Sequence, residues 1–322
     1  MREDGIAIGL LEPGPRNSIA DLAGVTVGHV TVERTGVSVV VPPSLPLPAG
    51  VAVLNGAGEL TGSHEVREWG RLDTPVYLTA THAVGRIYDG AVSVAMAADP
   101  RVGVDDVVIP VVGECDDSDL SDARVVHVEA ADAGRAVAAA RADFEQGAVG
   151  AGTGMIAFDW KAGIGSSSRR VDGITVGVLV LANLGSARHL RVDGVPVGRL
   201  LEATGRSFGE PGGSCIAVLA TDAPCTPPQL ERLARRTGLG LARVGSTADH
   251  GSGEIFLAFA TASGRSYPDD ELDPLFEAAV DATEEAVLNA LWAAVDTTGR
   301  EGRTVRALPH DRVLELYRGR GR

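Results

Sequence analysis

One stretch of the sequence decides the fold, namely Gly212-Gly213-Ser214-Cys215-Ile216-Ala217-Val218-Leu219-Ala220-Thr221-Asp222-Ala223-Pro224. Two glycines precede a hydroxyl residue, and the apolar run that follows predicts a buried strand ending in a turn. We therefore expect Ser214 at the mouth of a core strand. Gly213 has no Cβ to hinder the hydroxyl as it approaches the preceding carbonyl, and glycine tolerates strained backbone angles.

This arrangement is suited to self-cleavage in front of Ser214. The Ser214 oxygen would attack the Gly213 carbonyl, the acyl group would shift from nitrogen to oxygen, and water would complete the cut. The new N-terminal residue would carry both nucleophile and base, because a free α-amine has a pKa of about 7.7–8.0. The same residues also fit an ordinary Gly-Gly-Ser loop that enters a strand.

Composition favours a layered α/β protein that does not bind nucleic acid. The 322 residues are 44% hydrophobic but only 4% aromatic, so the core must consist of Ala, Val, Leu and Ile. That composition fits short strands and alanine-rich helices packed in layers, in one large domain or two medium ones. The net charge of −14 and the lack of a dense run of Lys or Arg argue against a nucleic-acid partner.

The termini and the cysteines predict the compartment. No long apolar segment follows the N-terminus, so we expect neither a signal peptide nor a membrane anchor. Cys115, Cys215 and Cys225 show no CxxC spacing, and their odd number leaves one unpaired in any disulfide scheme. These features predict a reducing cytoplasm.

Hydrophobic periodicity predicts alternating strands and helices along the chain. Two further predictions are a hairpin centred on residues 165–168 and an exposed loop over 194–213, where the chain could be cut. The predicted strands cover 24–32, 36–43, 51–54, 76–81, 107–112, 174–182, 214–220 and 255–260, and the predicted helices cover 61–69, 83–98, 132–146, 227–237 and 272–295.

Polar residues at strand ends supply the candidate chemistry. Ser252 and Glu254 flank Gly253 before a hydrophobic strand, and residues two apart on an extended backbone share a face. Their hydroxyl and carboxylate could orient and charge-stabilise a protonated amine on Ser214, as the third group of a triad does. An ordinary polar turn fits the same two residues.

Asn183 ends another predicted strand, and its side-chain amide could donate to an oxyanion, which is worth about 2.7–4 kcal/mol per donor in known cases. An Asn that caps a turn before Gly185 is equally consistent with this position. The glycine-rich residues 150–154 contain no phosphate-loop signature. For this reason we expect no nucleotide cofactor, and because the seven histidines lack metal-site spacing we expect no metal. The absence of a G-x-S-x-G elbow argues against a Ser-His-Asp hydrolase.

These residues resemble a known family, the DmpA-type aminopeptidases, which comprise L-aminopeptidase/D-amidase-esterases and β-peptidyl aminopeptidases and share their fold with ornithine acetyltransferase. The resemblance covers nearly the whole chain, with the motifs in the same order. The matching blocks are 17–32 (NSIADLAGVTVGHVTV), 34–40 (RTGVSVV), 55–58 (NGAG), 152–155 (GTGM), 163–165 (GIG), 182–185 (ANLG), 213–214 (GS), 220–224 (ATDAP), 232–245, 251–259 (GSGEIFLAF) and 284–290 (EEAVLNA).

The resemblance implies a four-layer αββα sandwich, usually assembled as a tetramer, that cuts itself between Gly213 and Ser214. One αββα domain would thus become a large subunit of residues 1–213 and a small subunit of residues 214–322. Ser214 would be the nucleophile, Ser252 and Glu254 its hydrogen-bond partners, and Asn183 the oxyanion donor. Glu114 would bind the free ammonium group of the substrate.

The implied activity is that of a cofactor-free serine aminopeptidase or amidase, which releases small N-terminal residues from short peptides, amides or esters. Two departures concern substrate preference: Cys115 and Asp116 follow Glu114 where many members have an aromatic residue, and His250 stands where Asn is common. Ornithine acetyltransferase-like acyl transfer is one alternative, although that family uses a threonine nucleophile. An uncleaved, non-enzymatic scaffold is the other.

Overall fold

Two β-sheets lie face to face in the middle of the fold. A computed structural model describes residues 1–201 and 213–319 of the chain. The strands of this part are β1 (Thr26–Val32), β2 (Thr35–Val41), β3 (Leu47–Gly56), β4 (Arg71–Leu72), β5 (Val76–Ala80), β6 (Val111–Cys115), β7 (Ile156–Ala157), β8 (Trp160–Lys161), β9 (Ile164–Val171), β10 (Ile174–Asn183), β11 (Ser214–Thr221), β12 (Gly253–Ala260), β13 (Thr297–Thr298) and β14 (Thr304–Val305).

The strands form a four-stranded sheet of order β1-β2-β5-β6 and a six-stranded sheet of order β4-β3-β12-β11-β10-β9. Two short pairs, β7-β8 and β13-β14, lie apart from them. The helices of the described residues are α1 (Ser63–Trp69), α2 (Val84–Ala98), α3 (Ala131–Ala138), α4 (Val197–Leu200), α5 (Pro227–Val244), α6 (Asp273–Trp292) and α7 (His310–Arg318).

Three apolar clusters separate four layers. Side chains of both sheets, such as Leu78 and Val218, fill the space between the sheets. A second cluster, containing Ile87, joins α2 and α3 to the outer face of the four-stranded sheet. A third, containing Leu233 and Ala286, joins α5 and α6 to the outer face of the six-stranded sheet. The predicted αββα sandwich is thereby confirmed, in agreement with the layer rule for amphipathic elements.

Helix α6 lies unusually close to β9. A Cβ at Gly165 would stand 1.9 Å from the carbonyl oxygen of Ala286, so only glycine permits this approach. The Ser167 hydroxyl donates to the Ala282 carbonyl across the same contact. Residues 165–168 are therefore the paired middle of strand β9, and the predicted hairpin at this point is wrong.

Two further boundaries differ from the sequence-based prediction. The strand predicted at 107–112 is β6 instead, because Val107 and Ile109 are exposed and pairing with β5 begins at Val111. The helix predicted at 132–146 ends at Ala138, because the main chain of Arg141 exchanges both of its hydrogen bonds with Val27 of β1. Local periodicity predicts neither of these boundaries, since each depends on pairing with a strand that is distant in the sequence.

The predicted cleavage loop at 194–213 is described only in part. Residues 197–200 form α4, and residues 202–212 lie outside the described residues. Within residues 1–201 and 213–319, no helix is long and apolar enough to cross a membrane.

Candidate active site

Ser214 is the first residue of β11, one of the two central strands of the larger sheet. It pairs with Asn183 at the end of antiparallel β10 and with Gly253 at the start of parallel β12. Its side chain is buried, and its Oγ accepts a hydrogen bond of 3.2 Å from the Gly253 N–H. Every residue of β11 is buried, so the packed strand fixes the position of the hydroxyl.

The Gly213–Ser214 peptide lies against both neighbouring strands. The Gly213 carbonyl oxygen accepts a hydrogen bond of 3.1 Å from the same Gly253 N–H. A Cβ at Gly213 would stand 2.5 Å from the Asn183 carbonyl oxygen, so a side chain here would push the two segments apart. Glycine at 213 is thus required for close approach to Asn183.

Ser252 and Glu254 form a buried pair beside Ser214. The Ser252 hydroxyl donates to Glu254 Oε1, and both side chains are almost fully buried. Glu254 Oε2 is also buried and has no hydrogen-bond partner among the described residues. Burial raises the pKa of Glu254, and the Ser252 hydroxyl partly opposes that shift. Neighbouring Gly253 needs to be glycine, because a Cβ would stand 2.9 Å from the Ala57 carbonyl oxygen and the Gly58 Cα.

The Asn183 amide is held in one orientation. Its Oδ1 accepts a hydrogen bond of 2.9 Å from the Ile156 N–H, and its Nδ2 donates to the Asp116 carbonyl at 2.9 Å. The accepted bond identifies the oxygen of the amide and so directs the NH₂ group away from Ile156. An amide nitrogen has two N–H donors, and Asp116 uses one of them.

The turn that carries Ile156 is fixed by a buried lysine. Lys161 Nζ donates to the carbonyl oxygens of Gly152, Met155 and Ala162 at 3.0, 2.8 and 2.6 Å. Three carbonyls match the three donors of an ammonium group. Burial lowers the pKa of Lys161 to about 7. The glycine-rich segment at 150–154 is therefore held in place beneath Asn183.

Glu114 reaches the site from the other sheet. Its Oε1 accepts a hydrogen bond of 2.8 Å from the Glu59 N–H, and its Oε2 accepts one from the Thr81 hydroxyl. Burial raises the pKa of Glu114, while these two hydrogen bonds oppose the shift. The result is a buried carboxylate in a fixed position.

Glu114 and Ser214 face the same small space. A Cβ at Gly58 would stand 3.2 Å from Glu114 Oε1 and 3.8 Å from Ser214 Oγ. Gly58 is itself exposed, in the loop that follows β3. A small group placed at this point would therefore be close to both the carboxylate and the hydroxyl.

Other polar candidates do not join this group. Cys115 and Cys215 are buried, which raises the pKa of each thiol and keeps it neutral. His250 is exposed. In the described part of the chain, no three His, Cys, Asp or Glu side chains are arranged to hold a metal ion.

Sequence reasoning missed three contributors: Thr81, the Gly253 N–H and Gly58. Thr81 carried a usable signal, because it is the last residue of the predicted strand 76–81. In the structure it follows β5, which runs parallel to β6, and this brings Thr81 and Glu114 to the same edge. The other two offered no such signal. A backbone N–H has no sequence signature, and a glycine in a predicted turn is first interpreted as a residue that the turn itself requires.

A buried serine at a strand start, an oriented side-chain amide and a buried serine–glutamate pair are groups with which an enzyme can cleave an amide. The model of peptidase family S58 matches residues 17–305. The chain belongs to peptidase family S58.

Named relatives agree with this assignment. The chain is 38% identical to the β-peptidyl aminopeptidase BapA of Sphingosinicella microcystinivorans, over 95% of this chain and 90% of that protein. A β-aminopeptidase structure from Burkholderia sp. matches with a TM-score of 0.93 at 42% identity, covering 100% of this chain and 99% of that one. The L-aminopeptidase D-Ala-esterase/amidase of Ochrobactrum anthropi, described as a serine aminopeptidase with a variant of the Ntn hydrolase fold, matches with a TM-score of 0.92 at 35% identity, over 100% and 98%.

Proposed function

We propose that this protein is a self-processing serine aminopeptidase or amidase that releases small N-terminal residues from short peptides, amides or esters. One observation carries the proposal: Ser214 begins a central strand between Asn183 and Gly253, while the Glu114 carboxylate faces the same space. The nucleophile and the ammonium anchor are thus close to one another in one small site.

Self-cleavage starts from the uncut Gly213–Ser214 peptide. Ser214 Oγ attacks the Gly213 carbonyl carbon, the C–N bond breaks as the acyl group moves to Oγ, and the Ser214 nitrogen takes up the proton. Water then hydrolyses the ester. The Gly253 N–H that holds the Gly213 oxygen at 3.1 Å supports this step, because it stabilises negative charge on that oxygen. The products are residues 1–213 and 214–322.

Substrate hydrolysis uses the amine that self-cleavage releases. The Ser214 α-amine takes the hydroxyl proton as Oγ attacks the substrate carbonyl, and then passes it to the leaving amine. The free N–H of Asn183 stabilises the oxyanion, and the Ser252–Glu254 pair stabilises the protonated α-amine. Water then releases the acyl group from Ser214. Glu114 binds the ammonium group of the substrate throughout.

The intact mass of the purified protein tests self-cleavage directly. Two species that sum to the 33.2 kDa chain plus one water are expected, and the smaller should begin at Ser214. A single intact chain that hydrolyses alanyl or glycyl amides would contradict the mechanism. A single inactive chain would favour the scaffold alternative.

Glu114→Gln tests the ammonium anchor. The amide still accepts from the Glu59 N–H but carries no charge, so kcat/KM for a glycyl amide should fall about 10–100-fold, as for loss of a charged hydrogen bond. Self-cleavage should continue, because the Gly213 acyl group has no free ammonium. Compared with Glu114→Gln, the wild type should show an additional fall in kcat/KM as acid protonates Glu114, at a pH above that expected for an ordinary glutamate because its pKa is raised.

Glu59→Gln is the matched control, because the exposed Glu59 side chain is changed while its backbone N–H still holds Glu114. It should retain kcat/KM within a few-fold. Wild-type kinetics in Glu114→Gln, or a Glu114→Gln chain that no longer cleaves itself, would remove Glu114 from this role.

We further propose assembly of four processed protomers and residence in a reducing cytoplasm. Three buried free thiols support the compartment.

The edge of β3 supports assembly: β4 pairs with it only at Leu47 and Pro48, and exposed Leu54 and Leu239 lie nearby. Light scattering should give four copies. Leu54→Glu should lower that mass, whereas Leu10→Glu, at an even more exposed leucine, should not.

A further inference from the structure

Gly58 lies where the reacting group of a bound substrate must pass. A substrate that binds Glu114 through its ammonium and presents its carbonyl to Ser214 has to span the space between these two side chains. A Cβ at Gly58 would be 3.2 Å from Glu114 Oε1, 3.8 Å from Ser214 Oγ and 3.4 Å from the Gly253 Cα. The position of the missing side chain is therefore within contact distance of both the ammonium anchor and the nucleophile.

The backbone does not require glycine at this position. Gly58 is absent from the residues with positive φ, so an L-residue can adopt its conformation without strain. The distances to Gly253 and Glu114 need only small adjustments in an exposed loop. This differs from Gly253 and Gly213, where an added Cβ would collide with backbone at 2.9 and 2.5 Å. The absence of a side chain at residue 58 therefore affects the space beside Glu114 and Ser214 rather than the backbone conformation.

We propose that Gly58 determines the length of the acyl group that the enzyme accepts. An α-amino acyl group has one carbon between its ammonium and carbonyl groups, and a β-amino acyl group has two. Because Gly58 has no side chain, the site has room for the second carbon. A methyl group at 58 would occupy that room and leave a site that fits the shorter acyl group better. This inference rests on the function proposed above.

The variant Gly58→Ala tests it with two substrates of identical leaving group, glycyl-p-nitroanilide and β-alanyl-p-nitroanilide. The loss of kcat/KM should be at least about tenfold larger for the β-alanyl substrate, since one methylene in a tight pocket changes rates about 10–200-fold. Self-cleavage should go to completion, because Gly213 lies against Asn183 and the Gly253 N–H rather than between Ser214 and Glu114.

Gly56→Ala is the matched control. Gly56 is the last residue of β3, two residues before Gly58, and also has no positive φ. Among the described residues, a Cβ there would meet Val53 Cγ1, at the ordinary distance of 3.6 Å. The ratio of the two substrates should stay at its wild-type value in this variant.

Each other outcome overturns the inference in a recognisable way. Equal losses on both substrates would mean that the methyl group disturbs the anchor or the nucleophile, and no loss on either would mean that the acyl group does not pass Gly58. Failure of Gly58→Ala to cleave itself would mean that the change acts on Ser214. A fully cleaved wild type that hydrolyses neither anilide would refute the proposed function, and this inference with it.

Discussion

Ser214→Ala is expected to yield a single uncut chain of about 33 kDa with no measurable amide hydrolysis. Both activities need the same oxygen: it attacks the Gly213 carbonyl during processing and the substrate carbonyl afterwards. Loss of a nucleophile from a serine hydrolase costs about 10⁴-fold or more in kcat. Intact-mass spectrometry and a glycyl anilide assay measure the two effects on one sample.

Two companion variants make this result specific. Ser93→Ala removes a hydroxyl from the exposed side of α2, where it donates to the Asp89 carbonyl, and the variant should be cut and active like the wild type. Ser214→Cys keeps a nucleophile of similar size and should be cut, at a reduced rate. A Ser214→Ala chain that still gives fragments beginning at residue 214, or that still hydrolyses amides, would show that another group is the nucleophile.

Loss of the Asn183 amide is expected to give the second largest effect. Removing one oxyanion donor costs about 10²–10³-fold in kcat. Asn183→Asp should show a loss of this size, with little change in KM, because the carboxylate can still accept from the Ile156 N–H but cannot donate to an oxyanion. Steady-state kinetics on the processed variant measure it.

Asn183→Ala separates the oxyanion role from a structural one. It loses the donor as well, and it also leaves the Ile156 N–H without its acceptor. If Asn183 acts only as the acceptor for the Ile156 N–H, then Asn183→Asp should retain activity within a few-fold of wild type while Asn183→Ala fails. Equal losses in both variants, with thermal unfolding close to wild type in Asn183→Asp, would support the oxyanion role.

Local sequence predicted the elements whose pattern is complete within a few residues. Strands β1, β2, β5, β10 and β11 follow from short apolar runs bounded by glycine, proline or polar residues. Prediction failed where a distant segment intervenes. The helix pattern ends before Arg141 because its main chain bonds to Val27. The local sequence predicts a turn at Gly165, but this glycine is needed in a strand because the backbone of α6 packs against it.

The candidate site divides in the same way. Ser214, Asn183, Ser252 and Glu254 stand at ends of predicted strands, so the sequence identifies them as polar groups next to core elements. Their relative placement depends on strand order: β11 lies between antiparallel β10 and parallel β12, which sets Ser214 beside both Asn183 and Gly253. An apolar run does not specify its neighbours in a sheet.

The sequence by itself determined a layered α/β protein with a glycine–serine junction in front of a buried strand. Only the tertiary structure decided that Glu114 of the opposite sheet faces Ser214, that the Gly253 N–H holds the Gly213 carbonyl, and that Gly58 leaves the space between anchor and nucleophile open. The physical reason is that hydrophobic and turn patterns record each residue's local environment. The distances that make a site arise between segments far apart in the chain, when two sheets pack face to face.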